Sequence, residues 1–358
     1  MTGTPTPPPA AAPENTRGGP AARSRPRTGF ASRALLRHIG GRLLGSVVSL
    51  VAVMVTGFFL FRILPGDPVR TMTQGRAVTV EQLAELRRQF GLDKPLPQQF
   101  LDYCLGLLRF DLGTSFQYRA PVAELIAERL WPTVLLAGTG TVIAAILGLW
   151  LGTRAAWRRG SVTDRVHTGV ALTLWSVPTF WLGLILIVVF AGGLGGALPH
   201  LFPTGGMATP GVTGFVPQLL DVAHHMVLPV ATMVAVVYAQ YLMIMRSSLL
   251  DEMGGDYLVT ARAKGLRDAL VLRRHAVPNA LLPTVTLIFL NLGGVVAGAI
   301  LVEAVFSWPG LGMLFYEALR VPDLPLVQGL FIFFSASVIF MNLLADLVYP
   351  LLDPRVRT

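Results

Sequence analysis

The chain has 358 residues, of which 53% are hydrophobic and only 14% are charged. A soluble domain carries about 25% charged residues, so this composition excludes an ordinary soluble protein and predicts an integral membrane protein. The net charge of +9 would suit nucleic-acid binding. The basic residues mostly adjoin predicted membrane ends, however, without interleaved aromatic residues, so anionic lipid and membrane topology explain the charge better.

The N-terminal segment, residues 1–34, is rich in proline, alanine and arginine, with seven prolines among its first 26 residues. It has too few large apolar side chains to offset the entropy cost of ordering the chain. We predict a disordered cytoplasmic tail, followed by one membrane domain over residues 35–358.

Six later segments are apolar, contain no Asp, Glu, Lys or Arg, and reach the roughly 20 residues that a helix needs to cross a bilayer. Because backbone groups in lipid must be hydrogen-bonded internally, each segment is predicted to be a transmembrane helix. The predicted spans are 43–61, 133–153, 168–191, 226–245, 280–302 and 324–345. The predicted fold class is therefore all-α integral membrane with six transmembrane helices.

The distribution of arginine and lysine between the spans predicts the orientation, since both are retained on the cytoplasmic side. Residues 1–42, 154–165 and 247–279 are rich in them, whereas residues 192–225 contain none. The three basic segments are therefore predicted to be cytoplasmic, and both termini lie on that side. The long segment 65–131 is predicted to be extracellular.

This outer segment is predicted to form a small helical cap on the membrane surface. Thr79 and Gln82 have capping-box spacing, and Gly91 stands where the helix would end. Pro95 and Pro97 separate this helix from a second amphipathic piece. A structural lid and a binding role both remain open.

The sequence contains no GxSxG, HExxH or G-x4-GK[ST] motif, so we expect neither an enzyme nor a chain with its own ATPase. Cys104 is the only cysteine, which leaves no internal disulfide and no cysteine metal cluster. His224 and His225 are adjacent and would point in different directions from a helix. We therefore expect no metal site.

The last cytoplasmic loop contains one short helix pattern, DYLVTARAKGL, which begins at Asp256. Asp256 can cap such a helix, and Gly265 can supply the left-handed residue that ends it. Leu258, Ala261 and Gly265 share one narrow side that would allow close approach. Two turns are marginal in water, so the helix needs a surface to pack on. Insertion into a groove on another protein and packing along its own bundle both fit this pattern.

The segment DYLVTARAKGLRDALVLRRHAVPNALLP resembles the EAA loop of importer-type ABC transporter permeases, which carries the coupling helix into a cleft on the ATPase. On the EAA-x3-G-x9-I-x-LP pattern, only Ala261, Gly265 and Pro278 match strictly. From about residue 35 to residue 357, further blocks resemble the dipeptide/oligopeptide/nickel importer branch, in particular its DppB-like permease subunits. These blocks are, in chain order, RILPGDP, GLDKPLPQQF, FDLGTSF, SVPTFWLG, PTGG, RSSLLDEMGGDYLVTARAKGL, VEAVFSWPGLG and LLDPRV.

The resemblance implies a type I ABC importer permease fold that forms half of a translocation path for di- or oligopeptides in a bacterial cell membrane. The implied partners are a second, DppC-like permease, one or two ATPases resembling DppD and DppF, a DppA-like extracytoplasmic binding protein and membrane lipid, but no nucleic acid. ATP and Mg would be bound by the ATPases, and no cofactor by this chain. The residues implied to couple to the ATPase are Asp256, Tyr257, Ala261, Arg262, Lys264 and Gly265.

Other cargoes and another class of protein remain open alternatives. The same branch includes importers of nickel, glutathione and other small solutes, because selection falls largely on the binding protein. A stand-alone secondary carrier is the alternative of another class, for which an internal repeat or broken helices around a midplane site would be expected.

Polar groups near membrane depth are candidates for the translocation path and its gate. Glu303 opens VEAVFSWPGLG at the outer end of the fifth predicted span, which the resemblance places near the external gate. The candidate path and gate residues are Asn291, Glu303, Phe306, Trp308 and Pro309. Asp346 is equally compatible with a topology anchor that pairs with a neighbouring base.

Spans two and five carry Gly148-x3-Gly152 and Gly294-x3-Gly298, a spacing that lets helices approach closely. Packing within one bundle and a moving interface are both open interpretations of this spacing.

Overall fold

The computed structural model describes residues 28–63, 79–89, 93–197, 199–297 and 300–352. These ranges contain helices but no β-strand, and within them a single isolated bridge pairs Thr114 with Pro121. The helices, in chain order, are α1 (Thr28–Ile63), α2 (Val80–Gln89), α3 (Leu96–Leu108), α4 (Val122–Trp157), α5 (Val162–Ser176), α6 (Thr179–Leu186), α7 (Phe215–Glu252), α8 (Asp256–Ala263), α9 (Asp268–Val271), α10 (Val277–Ala280), α11 (Leu282–Ala297), α12 (Ile300–Val305), α13 (Leu311–Arg320) and α14 (Leu324–Leu352). A π-helical turn, Ile187–Ala191, and a short turn, Gly193–Gly196, follow α6, and a second π-helical turn, Leu272–Ala276, follows α9.

Among the described residues, five helical stretches are long and apolar enough to cross a membrane. They are Ile39–Leu60, Val122–Trp157, Thr179–Gly196, Phe215–Glu252 and Leu324–Leu347. They overlap predicted spans one, two, three, four and six, which confirms an all-α membrane protein. The fifth predicted span, 280–302, overlaps α11 and α12, and residues 298 and 299 between these two helices lie outside the described residues. The count of six spans and the cytoplasmic side of both termini therefore stay predictions.

The predicted third span, 168–191, is not one helix. Helix α5 ends at Ser176, and Val177 has an extended backbone with φ −81° and ψ 129°. Pro178 follows, and a proline disfavours the helical conformation for the residue before it. The chain restarts as α6 at Thr179, and its last turn widens into the π-helical turn. The expectation of one continuous helix was wrong because it did not weigh Pro178.

Two predictions about the N-terminal third fall partly outside the described residues. Helix α1 begins at Thr28, so residues 28–34 of the predicted tail are helical, while residues 1–27 lie outside the described part. The capping box is confirmed, because the Thr79 N–H donates to Gln82 Oε1 at 3.0 Å and the Gln82 N–H donates to Thr79 Oγ1 at 3.3 Å. The predicted helix end at Gly91 also lies outside the described residues.

Helices α4 and α7 form the centre of the bundle, and two glycines allow their close contact. A Cβ atom at Gly148 would lie 2.5 Å from the Tyr238 carbonyl oxygen, and one at Gly152 would lie 2.6 Å from the Leu242 carbonyl oxygen. Of the two interpretations of this glycine pair, the structure therefore supports packing within the bundle. Gly294 differs, since a Cβ there would meet no atom within 4 Å; Gly298 lies outside the described residues.

The outer segment is joined to the start of α14 by one buried carboxylate. Asp323 is 1% exposed and accepts hydrogen bonds from the Ser115 hydroxyl at 2.6 Å and from the Gln117 N–H at 2.9 Å. The Tyr118 hydroxyl donates to Glu317 on α13 at 2.6 Å. These bonds hold the FDLGTSF block against the last two helices, which brings α4 into its position in the bundle.

Candidate functional site

Helix α8 has the predicted left-handed terminus but not the predicted cap. Gly265 has φ +80°, its N–H donates to the Arg262 carbonyl at 2.9 Å, and the next N–H, of Leu266, reaches the Ala261 carbonyl at 3.4 Å. This bond pattern is a Schellman motif, which satisfies two carbonyl groups at the helix end. The N-cap is Gly255, without a side-chain hydrogen bond, and Asp256 is the first helical residue. Asp256 therefore acts on the helix dipole and not as a cap.

The two sides of α8 have different surroundings. Leu258 is 0% exposed and Ala261 is 5% exposed. Both belong to a hydrophobic cluster with Ala156 of α4, Met245 and Leu249 of α7, Val271, Ala276 and Ala280. Val259 on the other side is 61% exposed. Burying Leu258 and Ala261 against the bundle removes apolar surface from water, so this side of α8 packs along its own bundle, which is one of the two arrangements that fit the sequence pattern.

The remaining coupling candidates lie on the exposed side or at the ends of α8. Asp256, Arg262 and Lys264 are exposed, and Gly265 has open space where a side chain would project. The Tyr257 hydroxyl donates to the Glu252 carboxylate at the end of α7. Helix α8 therefore has one side that packs on its own bundle and one side that is exposed.

Arg262 links α8 to two neighbouring segments. Its guanidinium lies 3.1 Å from an Asp268 carboxylate oxygen, on α9, and 6.0 Å from the ring centroid of Trp157, at the end of α4. Both contacts are at the surface, where an ion pair contributes about 0–1 kcal/mol. They orient the exposed side of α8 more than they stabilise it.

A buried ion pair near α8 was missed in the sequence. Asp164 of α5 accepts two bonds from the Arg246 guanidinium of α7, at 2.7 and 2.9 Å, and a third from the Gly160 N–H at 2.9 Å. The hydrogen bond from Arg246 lowers the pKa of Asp164 to about 2. The pair joins the α4–α5 turn to the last turns of α7. Three residues separate the end of α7, at Glu252, from the start of α8, at Asp256.

One sequence signal could have found the acidic half of this pair. Ser161 and Asp164 have capping-box spacing, and the Ser161 side chain does accept from the Asp164 N–H. The basic half has no comparable signal, because the two residues are 82 positions apart.

Glu303, the main gate candidate, lies in a closed hydrogen-bonded cluster. It is 0% exposed, accepts from the Thr133 hydroxyl at 2.9 Å and accepts from the Met313 N–H at 3.0 Å. Thr133 in turn accepts from the Leu311 N–H at 2.7 Å. In this conformation Glu303 connects α4 to the SWPGLG turn and the start of α13.

The aromatic gate candidates surround that cluster. Trp308 is 0% exposed and its indole N–H donates to the Pro132 carbonyl at 2.9 Å. Phe306 is 1% exposed, and its carbonyl oxygen accepts from the Gly206 N–H of the PTGG block at 2.8 Å. Pro309 follows, half-buried. The structure therefore brings Glu303, Phe306, Trp308 and Pro309 together at one end of the bundle.

Asn291 lies apart from them. Its side-chain amide donates to the Tyr241 hydroxyl at 2.9 Å, between α11 and α7 in the body of the bundle. Asp346 forms an ion pair with Arg42 at 2.8 Å, which confirms the interpretation as a carboxylate paired with a neighbouring base.

The histidine pair is bonded to backbone groups. His224 Nε2 lies 2.9 Å from the Leu201 carbonyl, and His225 Nδ1 lies 2.8 Å from the Asp221 carbonyl. The ring planes are turned 82° apart. Among the described residues, no group of three or more His, Cys, Asp or Glu side chains is arranged to hold a metal ion.

Known proteins are similar to this chain over most of its length. Residues 144–358 match a family model described as binding-protein-dependent transport system inner membrane component, and residues 35–137 match the model for the N-terminal part of such a membrane component. The dipeptide transport system permease protein DppB of Escherichia coli is 37% identical over 335 residues, which cover 88% of this chain and 97% of that protein. The glutathione transport system permease protein GsiC of Pectobacterium atrosepticum is 37% identical over 324 residues, which cover 90% of this chain and 99% of that protein.

Proposed function

Because this chain belongs to the family of inner-membrane components of binding-protein-dependent transport systems, we propose that it forms half of the translocation path of an ATP-driven importer of short peptides. It is a multi-pass permease component of the bacterial inner membrane. The observation that carries the coupling part of the proposal is the two-sided helix α8, which is held by its own bundle on one side and exposed on the other.

Short peptides are the proposed cargo because the names of two similar permeases refer to the transport of such compounds. One is named for dipeptides and the other for glutathione, which is itself a tripeptide. Nickel or another small solute is the alternative cargo of the same machinery. The binding protein would decide between them, and its identity is outside this chain.

The exposed side of α8 is the proposed docking surface for a partner ATPase. Val259 supplies an apolar contact, while Arg262 and Lys264 supply positive charge beside it. Asp256 and Tyr257 lie at the start of the helix, and Gly265 leaves room at its end. A short amphipathic helix with this distribution suits a groove on another protein. Ala261 contributes from the other side, by keeping α8 packed against the bundle.

The same packing would transmit force from the ATPases to the membrane helices. Leu258 and Ala261 belong to one hydrophobic cluster with residues from the last turns of α7 and from the turn that leads into α10. The Arg246–Asp164 pair joins this end of α7 to the α4–α5 turn. When the ATPases close, a displaced α8 would therefore move α7 and α11 as packed units, which is how interfaces convert small shifts into a change of state.

At the outer end, the proposed role of Glu303, Phe306, Trp308 and Pro309 is to shape the external gate. Glu303 would do so by holding the SWPGLG turn against α4, and not by contacting cargo in this conformation. Asn291 is proposed to influence the path through its bond to Tyr241.

The complete importer would need several further proteins. We propose a second, related permease for the other half of the path, one or two ATPase subunits and an extracytoplasmic substrate-binding protein. ATP and Mg would be bound and ATP hydrolysed on the ATPases, with no cofactor on this chain.

Reconstitution tests this proposal. The chain, its candidate partners and the binding protein would be placed in proteoliposomes, and uptake of labelled di- and oligopeptides would be followed with and without ATP. We expect uptake only with ATP and with every component present. Uptake by this chain alone, or uptake indifferent to ATP, would instead establish a secondary carrier.

A matched pair of variants isolates the α8 surface. Val259→Glu places a charge on the proposed docking surface and should abolish both uptake and the stimulation of ATP hydrolysis by cargo-loaded binding protein. Val162→Glu makes the same change at a valine that is 76% exposed on the neighbouring turn, and should leave both activities in place. Equal behaviour of the two variants would show that α8 is not the docking surface.

A further inference from the structure

A cavity of about 290 Å³ lies between the end of α4, the start of α5 and the π-helical turn that follows α9. It is lined by Thr153, Arg154, Trp157, Arg158, Thr163 and Leu272. By the distribution of basic residues, this end of α4 is the cytoplasmic end, so the cavity lies at the level where lipid headgroups meet water. The mechanism proposed above makes no use of it.

The cavity carries positive charge that no carboxylate in the described part of the chain pairs with. Arg154 and Arg158 are one helical turn apart, both are exposed, and within the described residues neither forms an ion pair. The nearest carboxylate in sequence to the lining, Asp164, is already bonded to Arg246. Two guanidinium groups that line one cavity can bind a phosphate group through several charge-assisted hydrogen bonds.

An exposed apolar stripe leads from the membrane interior to this cavity. Val142, Ile146 and Trp150 recur every four residues along α4 and therefore share one side of the helix with Arg154. Their exposed fractions are 53%, 65% and 51%. The Arg154 guanidinium lies 3.9 Å from the ring centroid of Trp150. An acyl chain on this stripe would end with its headgroup beside the two arginines.

We propose that this cavity and stripe bind one anionic phospholipid, with its phosphate between Arg154 and Arg158 and one acyl chain along Val142, Ile146 and Trp150. Basic pockets between membrane helices on the cytoplasmic side suit such headgroups. Charge complementarity and the apolar stripe together favour a lipid over a free phosphate ion, since the ion has no apolar part that could pack on the stripe. This inference concerns the chain itself and does not depend on the proposed cargo.

The position of the lipid would also connect it to α8. Trp157 lines the cavity and lies under the Arg262 guanidinium of α8, and Leu272 of the lining follows α9 directly. A bound headgroup would pack against both segments. The lipid would thus hold the exposed side of α8 in place.

Native mass spectrometry of the full-length chain in detergent tests the site. The chain would be titrated with phosphatidylglycerol and, separately, with phosphatidylcholine of the same acyl chains. We expect tight binding of one phosphatidylglycerol and roughly 30-fold weaker binding to the double variant Arg154→Gln/Arg158→Gln, since each arginine near a membrane surface contributes about 1 kcal/mol. Arg154→Lys/Arg158→Lys keeps the charge and should retain most of the affinity, which separates loss of binding from misfolding.

The matched control is Arg159→Gln/Arg165→Gln, which removes two exposed basic residues of the same loop that do not line the cavity. It should leave affinity within about twofold of the parent chain. Equal binding of the two lipids, or equal loss in both glutamine double variants, would overturn the proposal.

Two further arms identify the occupant. Inorganic phosphate at millimolar concentration should not displace the lipid; displacement would mean a simple phosphate site. A photo-crosslinking residue at Ile146 in the complex assembled in native membranes should label lipid. Labelling of another protein chain there would assign the stripe to a protein interface and overturn the lipid proposal.

Discussion

At the outer end of the bundle the carboxylates of Glu303 and Asp323 are buried and hydrogen-bonded, whereas at the opposite end helix α8 leaves most of its side chains exposed. The outer carboxylates accept bonds from hydroxyl and backbone groups of distant segments. A buried network with every group bonded resists local opening, while a short helix held on one side can bind another protein. The difference predicts that the end with the buried carboxylates resists local opening more strongly, and it fits the contact with a partner ATPase that we propose for α8.

The largest loss of stability is expected from a substitution in the buried cluster at the outer end. Glu303→Leu would leave the Thr133 hydroxyl and the Met313 N–H without their acceptor in a buried site, at about 1–3 kcal/mol for each group. We expect the free energy of unfolding to fall by about 3 kcal/mol. Thermal unfolding in detergent measures this change. Glu128→Leu, at an exposed position of the same end of α4, should change little; similar losses in both variants would refute a special role for the cluster.

The packing between α4 and α7 comes next. Gly148→Ala would place a Cβ atom against backbone of α7, with an expected loss of about 1–3 kcal/mol from overpacking. Gly294→Ala has open space and should be neutral or gain up to about 1 kcal/mol from helix propensity. Unfolding of the two variants under the same conditions compares them directly, and equal stability would contradict the packing difference.

At the inner end, the buried carboxylate of Asp164 makes a pH-dependent contribution to the free energy of unfolding. Because the pKa of Asp164 is lowered from 3.8 to about 2, its stabilisation is complete above pH about 4 and is lost as the pH falls towards 2. Asp164→Asn should lower the free energy of unfolding at neutral pH by about 2 kcal/mol and should flatten the acid dependence in that window. Unfolding midpoints measured between pH 2 and 7 report both effects. The control is Asp251→Asn, which removes an exposed carboxylate near the end of α7 and should leave the unfolding midpoint at neutral pH close to that of the parent chain.

At Gly265 we expect a substitution to lower the free energy of unfolding only moderately but to abolish transport. Gly265→Val forces a β-branched residue into the left-handed region, at a cost of about 1–2 kcal/mol. Gly160 has nearly the same conformation, with φ +78° and equally open space, so Gly160→Val should cost about as much. Peptide uptake should be lost only in the Gly265 variant. Loss in both would point to strain in general and not to coupling.

The smallest effect on stability is expected at an ion pair on the protein surface. Asp346 and Arg42 form an ion pair in which the side chains are 34% and 50% exposed. Such pairs contribute about 0–1 kcal/mol, so Asp346→Asn should shift the unfolding midpoint only slightly, and less in high salt. A loss comparable to that of Glu303→Leu would contradict this ranking.

Local features of the chain were predictable from the sequence because their causes are local. Apolar runs without charge predict membrane helices whatever their neighbours are, and helices long enough to cross a membrane overlap five of these runs. The capping box at Thr79 and the left-handed Gly265 follow from short-range hydrogen bonding and from the absence of a Cβ atom. The break at Pro178 was equally local, and it was missed although the sequence contains its cause.

Which residues meet was decided by the tertiary structure alone. The sequence around Asp164 does not indicate Arg246 as its partner, and the sequence around Ser115 does not indicate Asp323. These partners meet only because whole helices pack together. The sequence pattern of α8 fitted two arrangements, insertion into another protein and packing along its own bundle. The burial of Leu258 and Ala261 shows that their side of the helix packs on the bundle. Sequence by itself determined the class of protein and the position of the short helix α8 with its left-handed end, since hydropathy and motif spacing are properties of the linear sequence. Tertiary structure determined which side chains are free to act, since burial depends on every neighbour at once.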